Sequence, residues 1–165
     1  WKVHQVNLHI LLHKTQLPQA NALLADMTIF EEQVRAFFVT EALSTRQPPH
    51  RLAVAVALEE MGLEFELEAL LMDAGGYRVD MLLTDGRTVI SIEQASDYVR
   101  DGEHWRPSGS LLLQQRQLRA FGYRVVSVPF YEWKGLQSAQ QQRTYLWHRV
   151  GSEGGMGPAA AEEAI

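Results

Sequence analysis

Hydrophobic and polar positions divide this chain into segments of clear period. From His50 to Met61, Leu52, Val54, Val56, Leu58 and Met61 stand among alanines and the run stops at Gly62, which predicts a helix with a glycine just past its end. Leu63, Phe65 and Leu67 then alternate with Glu64, Glu66 and Glu68, so residues 63–71 are expected to form a half-buried strand. Tyr77–Leu83 and Arg87–Glu93 read as two more strands joined at Asp85-Gly86, a tight-hairpin signal. Gln94–Gly109 is polar and irregular and is expected to be a long functional loop. Leu111–Phe121 predicts a helix closing at Gly122. Tyr123–Pro129, with Val125, Val126 and Val128 nearly consecutive, predicts a strand buried on both faces, and Gln137–Val150 a last helix. The expected fold is α/β, a mixed sheet flanked by helices.

The ends differ from this core. His4–His13 has a helical pattern that Pro18 terminates, and Phe30, Val34, Phe37 and Phe38 fall on one helical face, with Asp26 or Thr28 as cap and Glu31 and Glu32 favourable in the first turn. Residues 1–47 are therefore expected to be a helical arm that packs on a partner, or the end of a longer helical region. Ser44-Thr45-Arg46-Gln47-Pro48-Pro49 marks the boundary, residues 48–150 the compact domain, and residues 151–165, rich in Gly, Ala and Glu, a disordered tail.

Composition narrows the chemistry. With no cysteine among 165 residues, disulfides, thiolate metal sites and Cys nucleophiles are excluded. No apolar run approaches the roughly 18 residues of a membrane-spanning helix, so no membrane partner is expected. The first residue is Trp1, which leads to the expectation of a processed or truncated product whose targeting leader is not in view. The net charge of −5 is unevenly spread: residues 1–85 carry −6, residues 86–150 carry +4 and the last fifteen −3. The second half of the domain is locally basic.

Gly76-Tyr77-Arg78-Val79-Asp80, Asp85-Gly86-Arg87 and Ile90-Ser91-Ile92-Glu93 resemble a nuclease-like pattern in which two acids end adjacent strands. Two carboxylates so placed can hold Mg²⁺ through oxygen and activate water on a phosphodiester. Ser108–Leu113, Arg116-Gln117-Leu118, Gly122-Tyr123-Arg124-Val125-Val126-Ser127-Val128-Pro129 and Tyr131-Glu132-Trp133 follow. Together these segments resemble the RAP domain over residues 48–150, the strand ending in Pro129 with its Glu132-Trp133 sequel being the most specific. The resemblance implies a restriction-endonuclease-like core and RNA binding in an organelle, as in FAST-kinase-like and apicomplexan relatives. It implies a mitochondrion, or alternatively a plastid, with organellar rRNA or transcripts as ligand. Neighbouring ribosomal or ribonucleoprotein proteins would meet the N-terminal arm.

Nuclease relatives of that fold place a third acid or a Lys two residues after the Glu, and here that position is Ala95. RAP sequences typically run Glu-x-Asp-Gly-Pro, whereas this chain reads Glu93-Gln94-Ala95-Ser96-Asp97. Asp80 and Glu93 are therefore expected to be remnants bonded to Arg or backbone donors, with no catalytic residue, metal or cofactor. The alternative is a metal-dependent nuclease using Asp80 and Glu93. The expected RNA-binding residues are Tyr98, Arg100, Trp105, Arg106, Arg116 and Arg119, because single-stranded RNA is held by cations beside aromatic faces. Within RNA binding, the expectation is an rRNA-binding resident of a mitochondrial ribosome or other ribonucleoprotein, with a free processing or stability factor as the alternative. His9 and His13, four apart, lack a third ligand in sequence, Ser127 is expected in the core, and Tyr131 and Trp133 are expected as core or wall residues.

Overall fold

The computed structural model describes residues 2–13, 15–17, 33, 36, 37 and 50–152. In chain order the elements are α1 (Lys2–Leu12), α2 (Arg51–Glu60), β1 (Phe65–Leu67), β2 (Leu70–Leu71), β3 (Tyr77–Arg78), β4 (Met81–Leu83), β5 (Thr88–Glu93), β6 (Tyr98–Asp101), β7 (His104–Pro107), α3 (Gly109–Ala120), β8 (Arg124–Pro129), α4 (Phe130–Trp133) and α5 (Ala139–Ser152). The main sheet runs β1-β4-β5-β8, antiparallel except for the parallel pair β5/β8, so the sheet is mixed.

Helices cover both faces of this sheet. On one side Val54, Ala57 and Leu58 of α2, Trp133 of α4, and Leu146 and Val150 of α5 pack on Met81, Leu83, Ile90, Ile92, Val126 and Val128. On the other, Leu8 of α1 and Leu118 of α3 pack with Val89, Val125, Tyr77, Val79 and Tyr123. Successive residues of β5 and β8 thus enter opposite cores, which is why β8 reads as an apolar run rather than an alternation.

Two expected strands are each broken in the middle. Residues 63–71 become β1 and β2, and residues 77–83 become β3 and β4, because Glu68 takes a positive φ of 56°. That costly backbone is held by ion pairs from Glu68 to Arg51 and to Arg78, the latter at 2.7 Å. The two halves nevertheless pair without a register slip, Phe65 with Leu83 and Leu71 with Tyr77, as one bent ribbon. Residues 77–83 were expected to pair with 88–93. Only Met81 and Leu82 do so, opposite Ile90 and Val89. The Asp85-Gly86 turn is a four-residue loop, 84–87, in which the Asp85 carboxylate accepts from the Arg87 and Thr88 amides at 2.8 and 2.7 Å.

The stretch 94–109, expected as a loop, instead contains a short turn at 95–97 and the β6/β7 hairpin, paired Tyr98 with Pro107 and Arg100 with Trp105. Its polarity misled because the hairpin has little core of its own. The helix expected over 137–150 runs to Ser152, so Gly151 and Ser152 belong to α5 and not to a disordered tail. Gln33, Ala36 and Phe37 are helical, with Phe37 exposed. The rest of the Phe30–Phe38 pattern, the 44–49 boundary and residues 153–165 lie outside the described residues.

α1 is seated on the domain. Leu8 fills the space beside Gly75, where an added Cβ would approach its methyl carbon to 2.7 Å, and His4 Nε2 lies 2.8 Å from the Gly75 carbonyl. Beneath them a closed hydrogen-bond ring links three elements. Gln5 Nε2 donates to the Tyr77 hydroxyl at 3.2 Å, that hydroxyl donates to Gln117 Oε1, and Gln117 Nε2 donates to the Gln5 carbonyl at 2.6 Å.

Candidate nucleic-acid interface

β5 and β8 run parallel and end together, with Glu93 opposite Pro129. The carboxyl edge of parallel strands is where open α/β sheets present their ligand sites, since the connections diverge there. Here the chain leaves β5 into the β6/β7 hairpin and leaves β8 into α4, and the two exits meet in an aromatic cluster. Tyr98 sits edge-on to Phe130 and Tyr131 at centroid distances of 5.8 and 5.3 Å, and Trp105 edge-on to Phe130 at 5.0 Å. The Arg100 guanidinium lies over the Trp105 indole, 5.7 Å from its centroid, with Nε donating to the Gly102 carbonyl at 3.1 Å. A phosphate-seeking cation and a half-exposed stacking surface therefore stand side by side on an exposed hairpin.

Cross-strand pairing sorts the hairpin into two faces. Tyr98, Arg100, Trp105 and Pro107 share one, and Val99, Asp101, His104 and Arg106 the other. Of the residues singled out from sequence, the structure brings together Tyr98, Arg100 and Trp105. Tyr98 is buried, so its ring supports the cluster and offers no open face to a base. Arg106 points to the opposite face, where it pairs with Asp101 at 2.9 Å while 74% exposed. Such an open ion pair is worth little and yields readily to a phosphate. Arg116 and Arg119 are exposed on α3, one turn apart, and do not join the cluster. Trp133 is a core residue as expected, whereas Tyr131 is partly open at the cluster's rim.

The two acids are held differently from each other. One Asp80 oxygen accepts from the Ile92 amide at 2.8 Å. Glu93 is 2% exposed, with one oxygen accepting from the Tyr98 hydroxyl and the other from Gln115 Nε2 at 2.7 Å. Gln115 also donates to Ser127 Oγ at 3.0 Å, so Ser127, expected as plain core, belongs to this group. The donors are a backbone amide, a phenol and an amide side chain rather than the arginines expected as one possibility. Gln115 and Phe130 are not singled out by any motif, Ser127 reads only as part of its strand, and only the fold gathers the three. Ala95 opens the turn after Glu93 and contributes no functional group. Among the described residues no three His, Asp, Glu or Cys side chains converge as metal ligands, the His9 and His13 rings, 4.5 Å apart, included. No helix among them is long and apolar enough to cross a membrane.

Burial raises all three carboxyl groups near this edge. Asp80 is pushed up to about 6, its bond from Ile92 and the charge of Arg51 opposing only in part. Burial likewise raises Glu93 against its bonds from Tyr98, Ser127 and Gln115, with the Asp97 charge adding to the rise, and burial raises Asp97 against its bond from the Gln94 amide. The Tyr98 phenol is raised by burial and by Glu93, so it remains the donor. A carboxyl that titrates higher in the folded chain than the ordinary value near 3.9 takes up its proton preferentially when folded. Its contribution to stability then falls as pH rises through the window between about 4 and 6. Asn at position 80 keeps an acceptor for Ile92 and removes the titration. The melting temperature of Asp80→Asn relative to the parent should thus rise between about pH 4 and pH 7, and parallel pH profiles would refute the assignment.

The RAP domain family model matches residues 90–148, from within β5 through the hairpin, α3, β8 and α4 to within α5. The matched span contains the whole aromatic and cationic cluster together with Glu93, Gln115 and Ser127, and the match suggests RNA binding.

Proposed function

We propose that the RAP domain carried by this chain binds single-stranded RNA without cutting it, and does so on the face bearing Arg100 and Trp105. The observation that carries the reading is the Arg100 guanidinium lying over the Trp105 indole on a hairpin at the carboxyl edge of β5 and β8. Duplex RNA offers no open base face to such a pair, whereas unpaired nucleotides offer both phosphate and base. Bonds to both Glu93 oxygens and one Asp80 oxygen, with Ala95 two residues after Glu93, favour binding over hydrolysis. The net charge of −5, with +4 confined to residues 86–150, favours a protein lodged among partners over one that grips RNA alone. A mitochondrial ribonucleoprotein, the ribosome in particular with rRNA as ligand, fits that balance.

The test is filter binding of the full chain to a labelled single-stranded RNA of about 16 nucleotides and to its duplex, with Mg²⁺ or Mn²⁺ present. The single strand should bind more tightly than the duplex and be recovered intact. Equal binding to both would remove the stacking site, and cleavage that disappears in Glu93→Ala would replace this reading with the nuclease.

A further inference from the structure

We infer that Glu93 is a positioning residue for RNA, its two carboxylate oxygens joining the sheet to the hairpin through Tyr98 and to α3 through Gln115. This rests on the RNA-binding reading above and adds how that surface is held. The β6/β7 hairpin is a separate two-stranded sheet, and two strands alone are marginal in water. It must be held from its root, and the root is Tyr98, the first residue of β6. The phenol ring is gripped by Phe130 and Tyr131, and its hydroxyl is fixed by Glu93, the last residue of β5. Arg100 and Trp105 lie next along the same face of the hairpin. A rotation at Tyr98 therefore moves the cation and the indole together. The second Glu93 oxygen holds Gln115, which is tied onward to Ser127 of β8, so hairpin, α3 and the parallel strand pair share one buried acid. The carboxylate that a nuclease of this architecture would spend on a metal here does joinery.

Tyr98→Phe deletes one hydroxyl and keeps the ring, so it separates the joint from the packing. A hydrogen bond to a charged group that is lost at the root should let the hairpin amides of 98–107 exchange with deuterium about tenfold faster or more. The amides of β5 and β8 should speed up less than those of the hairpin. Affinity for the single-stranded RNA used above should fall about threefold or more, in proportion to the hairpins that have left their seat. Glu93→Gln, which keeps one acceptor oxygen, should lie between the parent and Tyr98→Phe in both readouts. Unchanged exchange in both variants would overturn the joint, and faster exchange with unchanged affinity would overturn its role toward RNA. If the parent chain binds no RNA, the RNA-binding reading falls, and with it the role toward RNA, while hydrogen exchange still decides whether Glu93 is the joint.

Discussion

Tyr77→Ala is expected to lower the unfolding free energy by about 3–5 kcal/mol, the range of large aromatic truncations in packed cores. Tyr77 is 0% exposed and packs in the core between α1, α3 and the sheet. Its hydroxyl closes the ring with Gln5 and Gln117, and Gln117 is itself 1% exposed. Removing the ring leaves a cavity whose walls belong to three elements, and removing the hydroxyl leaves polar atoms of both glutamines without their partner. Tyr77→Phe isolates the second effect and should cost about 1–3 kcal/mol, because the Gln117 oxygen loses its phenol donor in a dry site. Urea unfolding of the three proteins would measure both differences. A loss below about 1 kcal/mol for the alanine variant would mean that α1 is not part of the folded unit.

Trp105→Ala should weaken single-stranded RNA binding by about 1–3 kcal/mol, or roughly 5- to 150-fold, with little change in salt dependence. Stacking exchanges one uncharged surface for another and releases no counterion. Arginine replacements act on the other coordinate: each of Arg100, Arg106, Arg116 and Arg119 that meets a phosphate should lower the slope of log affinity against log salt by about one unit when changed to Ala. The structure sharpens this comparison. Arg100 caps the indole, so Arg100→Ala should show both a lower slope and part of the stacking loss. Arg106 must first leave Asp101, and its loss should be the milder of the two. Glu59 and Glu64, exposed in the acidic half, serve as controls whose removal should leave affinity equal or better. Filter binding between about 50 and 200 mM salt reads affinity and slope together. Four arginine variants with parental affinity and slope would take the RNA site away from this surface.

The central layers were legible in the sequence because burial on both faces leaves a plain signature. Val125, Val126 and Val128 in β8 read as an apolar run, and the structure sets that strand in parallel beside β5. The bend at Glu68 was not legible, because its cause is two arginines, 17 residues before and 10 after, that no local pattern connects to it. The hairpin within 94–109 was missed for a related reason: its strands are four residues long and mostly exposed, and periodicity in so short a polar segment says little. Of the site, Arg100 and Trp105 could be named from residue type alone. Their stacking required the β6/β7 register, and the Glu93–Gln115–Ser127 group required three elements to meet. Tyr98 lies in the same cluster but is buried there, because an aromatic ring in a polar segment does not reveal which way it faces.

Photo-crosslinking the full chain to single-stranded RNA and locating the nucleotide-bearing peptides by mass spectrometry tests the central claim most directly. The account predicts adducts within residues 98–107, with Trp105 foremost, and their loss in Trp105→Ala. Adducts confined to other segments, for example around the exposed Trp147 of α5, with residues 98–107 unmodified, would contradict it.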